Sequence, residues 1–308
     1  MEDRILGKTG IRVSRLGLGA AKHGDVQRQD QDVDRWLHHA LDAGVNFIDT
    51  AAMYNKSEDR IGRFLAARKD EFFLATKCGV HRAGGVPGAA IVEDYSREGI
   101  LRTVDESRGK LRMDIIDLVQ FHGLPPVELL DEAFETLMDL KVRGWARFVG
   151  VSADGPAGAA VEGESEREVA ELARTWPLDT WQFTYNFLSQ EAATELIPLL
   201  REAGIGTIVK RPIANVLWEL DEDPGDDFNH TLWERACQLP LDALAGELPL
   251  TEFAMRFVLS NADIDLALTG TINPHHLETN IRSLEDGDLP SEMLRKAQDI
   301  FEERFGTG

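Results

Sequence analysis

Four residues able to move a proton stand at the ends of successive apolar runs. Asp49 closes the run 45–49, and Tyr54 follows five residues later. Lys77 closes the run 72–77, and the run 115–121 leads straight into His122. Singly, each has a plain reading: a cap or ion-pair carboxylate, a loop aromatic, a solvated cation, a structural histidine. Together they form a general-acid assembly. A free tyrosine gives up its proton only near pH ~10. A neighbouring ammonium stabilises the phenolate and lowers that value. A buried ammonium needs a counter-charge, which Asp49 can supply. An imidazole can donate a hydrogen bond to a substrate oxygen and hold it near the phenol. The set suits protonation of a carbonyl oxygen while hydride arrives at its carbon. No side chain supplies hydride, so a reduced nicotinamide is implied.

The elements that must position these groups recur with a rhythm. Short apolar or β-branched runs alternate with longer amphipathic ones. A small hairpin turning at Lys8, Thr9 and Gly10 opens the chain. Core strands are predicted at 16–20, 45–49, 72–77, 115–121, 148–152, 180–184, 206–210 and 266–269. Helices are predicted at about 32–43, 57–68, 96–111, from Pro125-Pro126 to 142, and at about 251–259. Val33, Trp36, Leu37, Ala40 and Leu41 carry the apolar stripe of the first, and Gly44 stops it. Ser57 is the expected N-cap of the second. A glycine-rich segment, 79–88, interrupts the alternation. The loop 81–95, together with 218–249, is expected to wall a pocket, and its glycines suggest mobility.

Eight β/α units point to an α/β fold, a closed (β/α)8 TIM barrel with an N-terminal β-hairpin. The site then lies at the C-terminal mouth. The rival is an open doubly wound sheet, whose first strand–helix turn would carry GxGxxG. Here that turn reads Gly17-Leu-Gly19-Ala-Ala-Lys22 and lacks the third glycine. The expectation is one barrel domain over 1–308.

Composition narrows the partners. The 308 residues hold 33 Lys+Arg against 54 Asp+Glu, a formal charge of −21. That disfavours nucleic acid and anionic membrane surfaces, which demand a basic footprint. An anionic ligand needs a local exception to this field. Only Cys78 and Cys237 are present, without a CxxC pair, which fits a reducing cytoplasm. Cys78 reads as packing. His38-His39 and His275-His276 are poor chelates, because adjacent helical side chains diverge, and no metal is expected. The acidic run 221–227 lacks the ligand spacing of a calcium loop. The expected partner is a small carbonyl or alcohol, bound by a monomer or weak homo-oligomer.

The sequence also resembles the aldo-keto reductase superfamily over nearly its whole length. The matching blocks are LGLGAA (16–21), NFIDTAAMY (46–54), SEDRIG (57–62), ATKCG (75–79), IIDLVQFHG (115–123), GVS (150–152), WQFTYN (181–186) and TGTINPHHLETN (269–280). There is also a faint likeness to the sugar dehydrogenase branch. The resemblance implies an NADP(H)- or NAD(H)-dependent oxidoreductase with Asp49, Tyr54, Lys77 and His122 as its catalytic tetrad. By the same resemblance Ser152 and Gln182 hold the nicotinamide carboxamide, and Gly19 and Ala20 lie near that ring. Pro212 and Ile213 line the pyrophosphate trough. Gly270, Thr271, His276 and Asn280 surround the adenosine end. A helix starting near Pro274 offers its N-terminal amides to an anion.

Departures from the family pattern carry information. Ala153 stands where Asn is usual, so one carboxamide contact is lost or replaced. Lys210, followed by Arg211, stands where an aromatic commonly stacks, and both cations are placed to offset pyrophosphate charge. Gly270 and His276 stand where many members have Lys and Arg. Two cations for a 2′-phosphate are thus missing, which gives NAD weight beside NADP. A nicotinamide-binding regulatory module with little turnover is the alternative reading. A Schiff-base aldolase or isomerase using Lys77 is a more distant one.

Overall fold

The computed structural model describes residues 2–153 and 166–306. The strands, in chain order, are β1 (Asp3–Ile5), β2 (Arg12–Ser14), β3 (Leu16–Gly19), β4 (Phe47–Asp49), β5 (Phe73–Cys78), β6 (Val80–Arg82), β7 (Ile91–Glu93), β8 (Ile116–His122), β9 (Ala146–Ser152), β10 (Thr180–Thr184), β11 (Gly206–Lys210) and β12 (Leu266–Thr269). Eight of them close into a parallel barrel in the order β3-β4-β5-β8-β9-β10-β11-β12, with β12 returning to β3. All eight coincide with predicted strands to within a few residues. β1 and β2 pair antiparallel, as the opening hairpin requires.

Period-two side-chain alternation sorts each strand between the barrel interior and its jacket. Phe47, Ala75, Leu118, Ile208, Leu266 and Leu268 form the interior cluster. Leu6, Ile11 and Val13 of the hairpin join it, so the hairpin stoppers the N-terminal end of the barrel. Opposite faces turn to the helices: Phe121 of β8 meets Phe134 edge-on at 5.2 Å.

The jacket follows the predicted stripes. α1 (Asp30–Asp42) buries Val33, Trp36, Leu37, Ala40 and Leu41, and Gly44 follows at φ +90°. α2 (Ser57–Phe64) and α3 (Arg97–Leu111) come next, and Ser96 caps α3 by accepting from Gly99 N at 3.1 Å. α4 (Leu130–Val142) starts later than the Pro125-Pro126 prediction, because a 3-10 turn, Val127–Leu129, intervenes. The remaining helices are α5 (Glu166–Thr175), α6 (Leu196–Glu202), α7 (Asp227–Gln238), α8 (Leu241–Ala245), α9 (Leu250–Leu259), α10 (Pro274–Glu285) and α11 (Ser291–Phe305).

Two local expectations are corrected. Ser57 is not a cap. It is the first helical residue, fully buried, and its hydroxyl donates to Ala20 O at 2.9 Å while accepting from Thr50 Oγ1 at 2.8 Å. It ties the ends of two barrel strands together, a task that outcompetes the local cap. The glycine-rich segment is not an irregular loop either. β6 and β7 pair antiparallel across it, Val80 opposite Glu93 and Arg82 opposite Ile91.

Behind the loop after β3 lies a buried imidazole. His23 is fully buried with its ring 4.6 Å from Trp36, and neither ring nitrogen has a partner among the described residues. Burial, then the nearby Arg28 and Arg60, push its pKa from 6.5 down to about 3. Between those values the unfolded chain binds a proton that the native state refuses, so stability falls as pH falls. Acidification from about pH 6.5 to about 5 is expected to remove roughly 2 kcal/mol through this group. Urea unfolding of wild type and His23→Leu over that range checks it. Equal pH slopes in the two proteins would refute the assignment.

Candidate active site

The barrel register brings the polar residues to one rim. Asp49 ends β4, Lys77 stands one residue from the end of β5, and His122 ends β8 with Ser152 of β9 as its Cα partner. Lys77 is buried, and its Nζ donates to Asp49 Oδ2 at 2.6 Å and to Thr50 O at 3.0 Å. The other carboxylate oxygen, Asp49 Oδ1, accepts from Gln182 Nε2 at 2.8 Å. Gln182 Oε1 accepts in turn from Ser152 Oγ at 2.8 Å. A continuous hydrogen-bond chain therefore runs Ser152, Gln182, Asp49, Lys77.

The half-buried Tyr54 ring closes the cluster. Lys77 Nζ lies 5.2 Å from its centroid. His122 meets it edge-on, with centroids 5.6 Å apart at 88°. Burial pushes the Tyr54 phenol up, Lys77 and Arg211 pull it down, and Asp49 opposes them, for a net rise. This corrects the sequence-based expectation of a lowered value. The ammonium acts in the expected direction, but desolvation is larger. Burial lowers Lys77, yet Asp49 and then Tyr54 outweigh it, so the group is raised and stays an ammonium. His122 is held well below its ordinary range by burial, then by Lys77, Lys210 and Arg211. It is a neutral imidazole, and its Nδ1 is buried without a partner among the described residues. Buried Cys78, beside Lys77, has its thiol pushed up to about 12 by desolvation and is no nucleophile.

The residues matched to a cofactor occupy the same mouth. Gly19 ends β3, and Ala20 N donates to Asp49 O at 2.7 Å. Lys210 ends β11, half-buried, and is engaged by a neighbour, as is Arg211. Arg211 has a left-handed backbone, φ +55°, with Nη1 donating to Thr184 Oγ1 at 3.1 Å. Its carbonyl accepts from Asn186 Nδ2 at 3.0 Å. Pro212 is buried beside it and Ile213 is half-buried. A Cβ at Gly270 would meet nothing within 4 Å. Thr271 Oγ1 accepts from Asn273 N, Asn273 caps α10 through His275 N, and His276 is exposed on the first turn. Asn280 is buried and spends its amide on Thr269 Oγ1 at 2.8 Å, joining α10 to β12. Ala153 is buried, and its carbonyl accepts from Trp181 Nε1 at 3.2 Å.

Outside this rim, Asp223 Oδ2 of the acidic run pairs with His230 Nδ1 at 2.8 Å, and Asp226 caps α7 through Asn229 N. Among the described residues no group of three or more His, Cys, Asp or Glu is placed to hold a metal. No described helix is long and apolar enough to cross a membrane.

Sequence reasoning missed the braces. Arg60, fully buried, donates to Asp30 Oδ1 and to the carbonyls of His23, Asp25 and Arg28, at 2.6–3.0 Å. It folds the loop after β3 so that Gly24 presses on the Tyr54 carbonyl, where a Cβ would come within 1.8 Å of that oxygen. An arginine inside an amphipathic stretch reads as exposed, so only the fold reveals it.

Fold and rim together define the class: a (β/α)8-barrel protein with a compact cluster of proton-handling groups at the strands' C-terminal ends. The chain belongs to the Aldo/keto reductase family, whose model matches residues 15–302, and it is an oxidoreductase of that nicotinamide-dependent family. It is 29% identical to the D-threo-aldose 1-dehydrogenase of a Pseudomonas species, over 88% of this chain and 89% of that one. It is 28% identical to the NADH-specific methylglyoxal reductase of Escherichia coli, over 98% of this chain and all of that protein. Among solved structures, aldo-keto reductase AKR11C1 from Bacillus halodurans in its holo form superposes with a TM-score of 0.80. The identity there is 26%, covering 97% of this chain and 96% of that chain.

Proposed function

We propose that this protein interconverts an aldehyde or ketone and the corresponding alcohol, with Tyr54 as general acid in reduction and, as phenolate, general base in oxidation. The observation that carries this reading is the buried chain from Ser152 through Gln182 and Asp49 to Lys77, with Tyr54 against the ammonium. Its raised pKa keeps the Tyr54 phenol protonated at neutral pH, ready to deliver its proton to an oxygen. Lys77, fixed by Asp49, stabilises the phenolate left behind. His122 is neutral, so one ring nitrogen donates to the carbonyl oxygen without carrying charge of its own.

The mouth fits a nicotinamide dinucleotide. Ser152 and Gln182 offer amide and hydroxyl groups for the carboxamide, with Gly19 and Ala20 leaving room beside them. Lys210, Arg211 and Pro212 make a positive trough for the pyrophosphate. Open space over Gly270, with Thr271 and His276 about the α10 N-terminus and Asn280 one turn further along the helix, takes the adenosine end. When bound, the nicotinamide supplies hydride to the carbonyl carbon.

Neither Gly270 nor His276 brings a fixed cation to the adenosine ribose, so NADH is expected to serve at least as well as NADPH. The names of two relatives, an aldose dehydrogenase and a methylglyoxal reductase, support short hydroxylated or dicarbonyl substrates. The test is kcat/KM with each nucleotide across a panel of small aldehydes, ketones and aldoses. An NADPH preference beyond about tenfold, some 1.4 kcal/mol, would overturn the cofactor reading. Tight nucleotide binding with no turnover on any member would overturn the enzymatic one.

A further inference from the structure

One buried tyrosine outside the cluster touches it through the main chain. Tyr95 follows β7, and its hydroxyl donates to His122 O at 2.6 Å. Its ring fills the space over Gly79, where a Cβ would lie 2.2 Å from Tyr95 Cε1, and meets Phe121 edge-on at 5.7 Å. The accepting carbonyl belongs to the last residue of β8. The next residue, Gly123, has φ +95° and donates its N–H to Ser152 O at 2.9 Å. The peptide plane after His122 is thus held on one side by β9 and on the other by Tyr95. A glycine in that position adds little steric restraint of its own.

The same excursion, 79–95, also grips the Tyr54 loop. Arg82 Nε donates to Met53 O at 3.0 Å, and Gly88 N donates to Asn55 Oδ1 at 2.9 Å. Those bonds fall on the residues immediately before and after Tyr54. One segment therefore holds both groups that would face a carbonyl oxygen.

We propose that Tyr95 is a positioning residue for His122, setting the imidazole against Tyr54 through the His122 carbonyl. The proposal rests on the carbonyl reductase reading above. Tyr95→Phe removes the hydroxyl and keeps the ring over Gly79. It is expected to lower kcat about tenfold, the scale of a small misplacement of a reacting group, with cofactor Kd unchanged. In a His122→Ala background the same substitution is expected to change kcat less than about twofold, because the group it acts through is gone. Equal losses in both backgrounds, or an unchanged kcat in the single variant, would overturn the proposal.

A second readout needs no turnover. The imidazole nitrogen resonances of His122 are expected to shift in Tyr95→Phe and to stay put in Tyr185→Phe, a buried tyrosine packed against Phe257. A wild-type protein that reduced no carbonyl would sink the functional reading. The resonances alone would then decide Tyr95, a shift supporting the clamp and invariance excluding it.

Discussion

Tyr54→Phe is expected to lower kcat for carbonyl reduction by about three orders of magnitude, within the usual span for a general acid. The substitution keeps the ring in place. The phenyl ring keeps the edge contact with His122 and the face offered to Lys77 Nζ. The hydroxyl is lost, and with it both the transferable proton and the hydrogen bond to Lys77. His122 cannot replace the proton, because burial and three neighbouring cations keep its imidazole unprotonated. Lys77 does not replace it readily either, since Asp49 Oδ2 and Thr50 O hold its ammonium from below. Cofactor Kd, read by fluorescence titration, is expected to stay within about twofold, as the loss lies in the transition state rather than in binding. A variant that reduced a good aldehyde at the wild-type rate would remove Tyr54 from the mechanism.

The barrel and the identity of the clustered side chains were legible because both are written locally. Alternating runs give the strands; Asp49, Lys77 and His122 mark the ends of three of them, and Tyr54 lies in the loop after the first. Closure then makes neighbours of residues as distant in sequence as Asp49 and Gln182. The braces were not legible, since each joins a side chain to a backbone group far along the chain. Tyr95 to His122 spans 27 residues, and Arg60 to the His23 carbonyl spans 37. The β6–β7 hairpin was masked by its glycines, which read as loop although three pairs form around them. The sign of the Tyr54 shift was missed for another reason. Pairwise charge reasoning sees Lys77, but desolvation depends on packing that no spacing reveals.

The acidity of the chain also looks different once the rim is built. A body of −21 repels anions at long range, yet Lys77, Lys210 and Arg211 together depress His122. Three cations therefore face the imidazole at the mouth, a local exception to the acidic body. Low-dielectric walls let a few near charges outweigh many distant, screened ones. Such cations would favour a bound pyrophosphate and a developing oxyanion, and they add to the burial that keeps the imidazole neutral.

Lys77→Met tests that field at its centre and is expected to damage both stability and activity. The Lys77 and Asp49 side chains are 0% and 4% exposed, so removing the ammonium strands a buried carboxylate with Gln182 as its remaining side-chain donor. Breaking a buried pair this way costs about 3–5 kcal/mol, a fall in Tm on the order of 10 °C. The double variant Asp49→Asn/Lys77→Met keeps an acceptor for Gln182 and buries no charge, so it is expected to recover most of that stability. It should not recover activity. Without the ammonium the Tyr54 phenol loses the largest influence pulling its pKa down, and the phenolate forms only at higher pH. Alcohol oxidation, which needs that phenolate, should then lose more than carbonyl reduction, with its pH profile displaced upward. Thermal melts and paired pH–rate profiles of the three proteins separate the two effects. A double variant as unstable as the single one would show that the lysine contributes packing rather than charge. An undisplaced oxidation profile would show that Lys77 does not act on Tyr54.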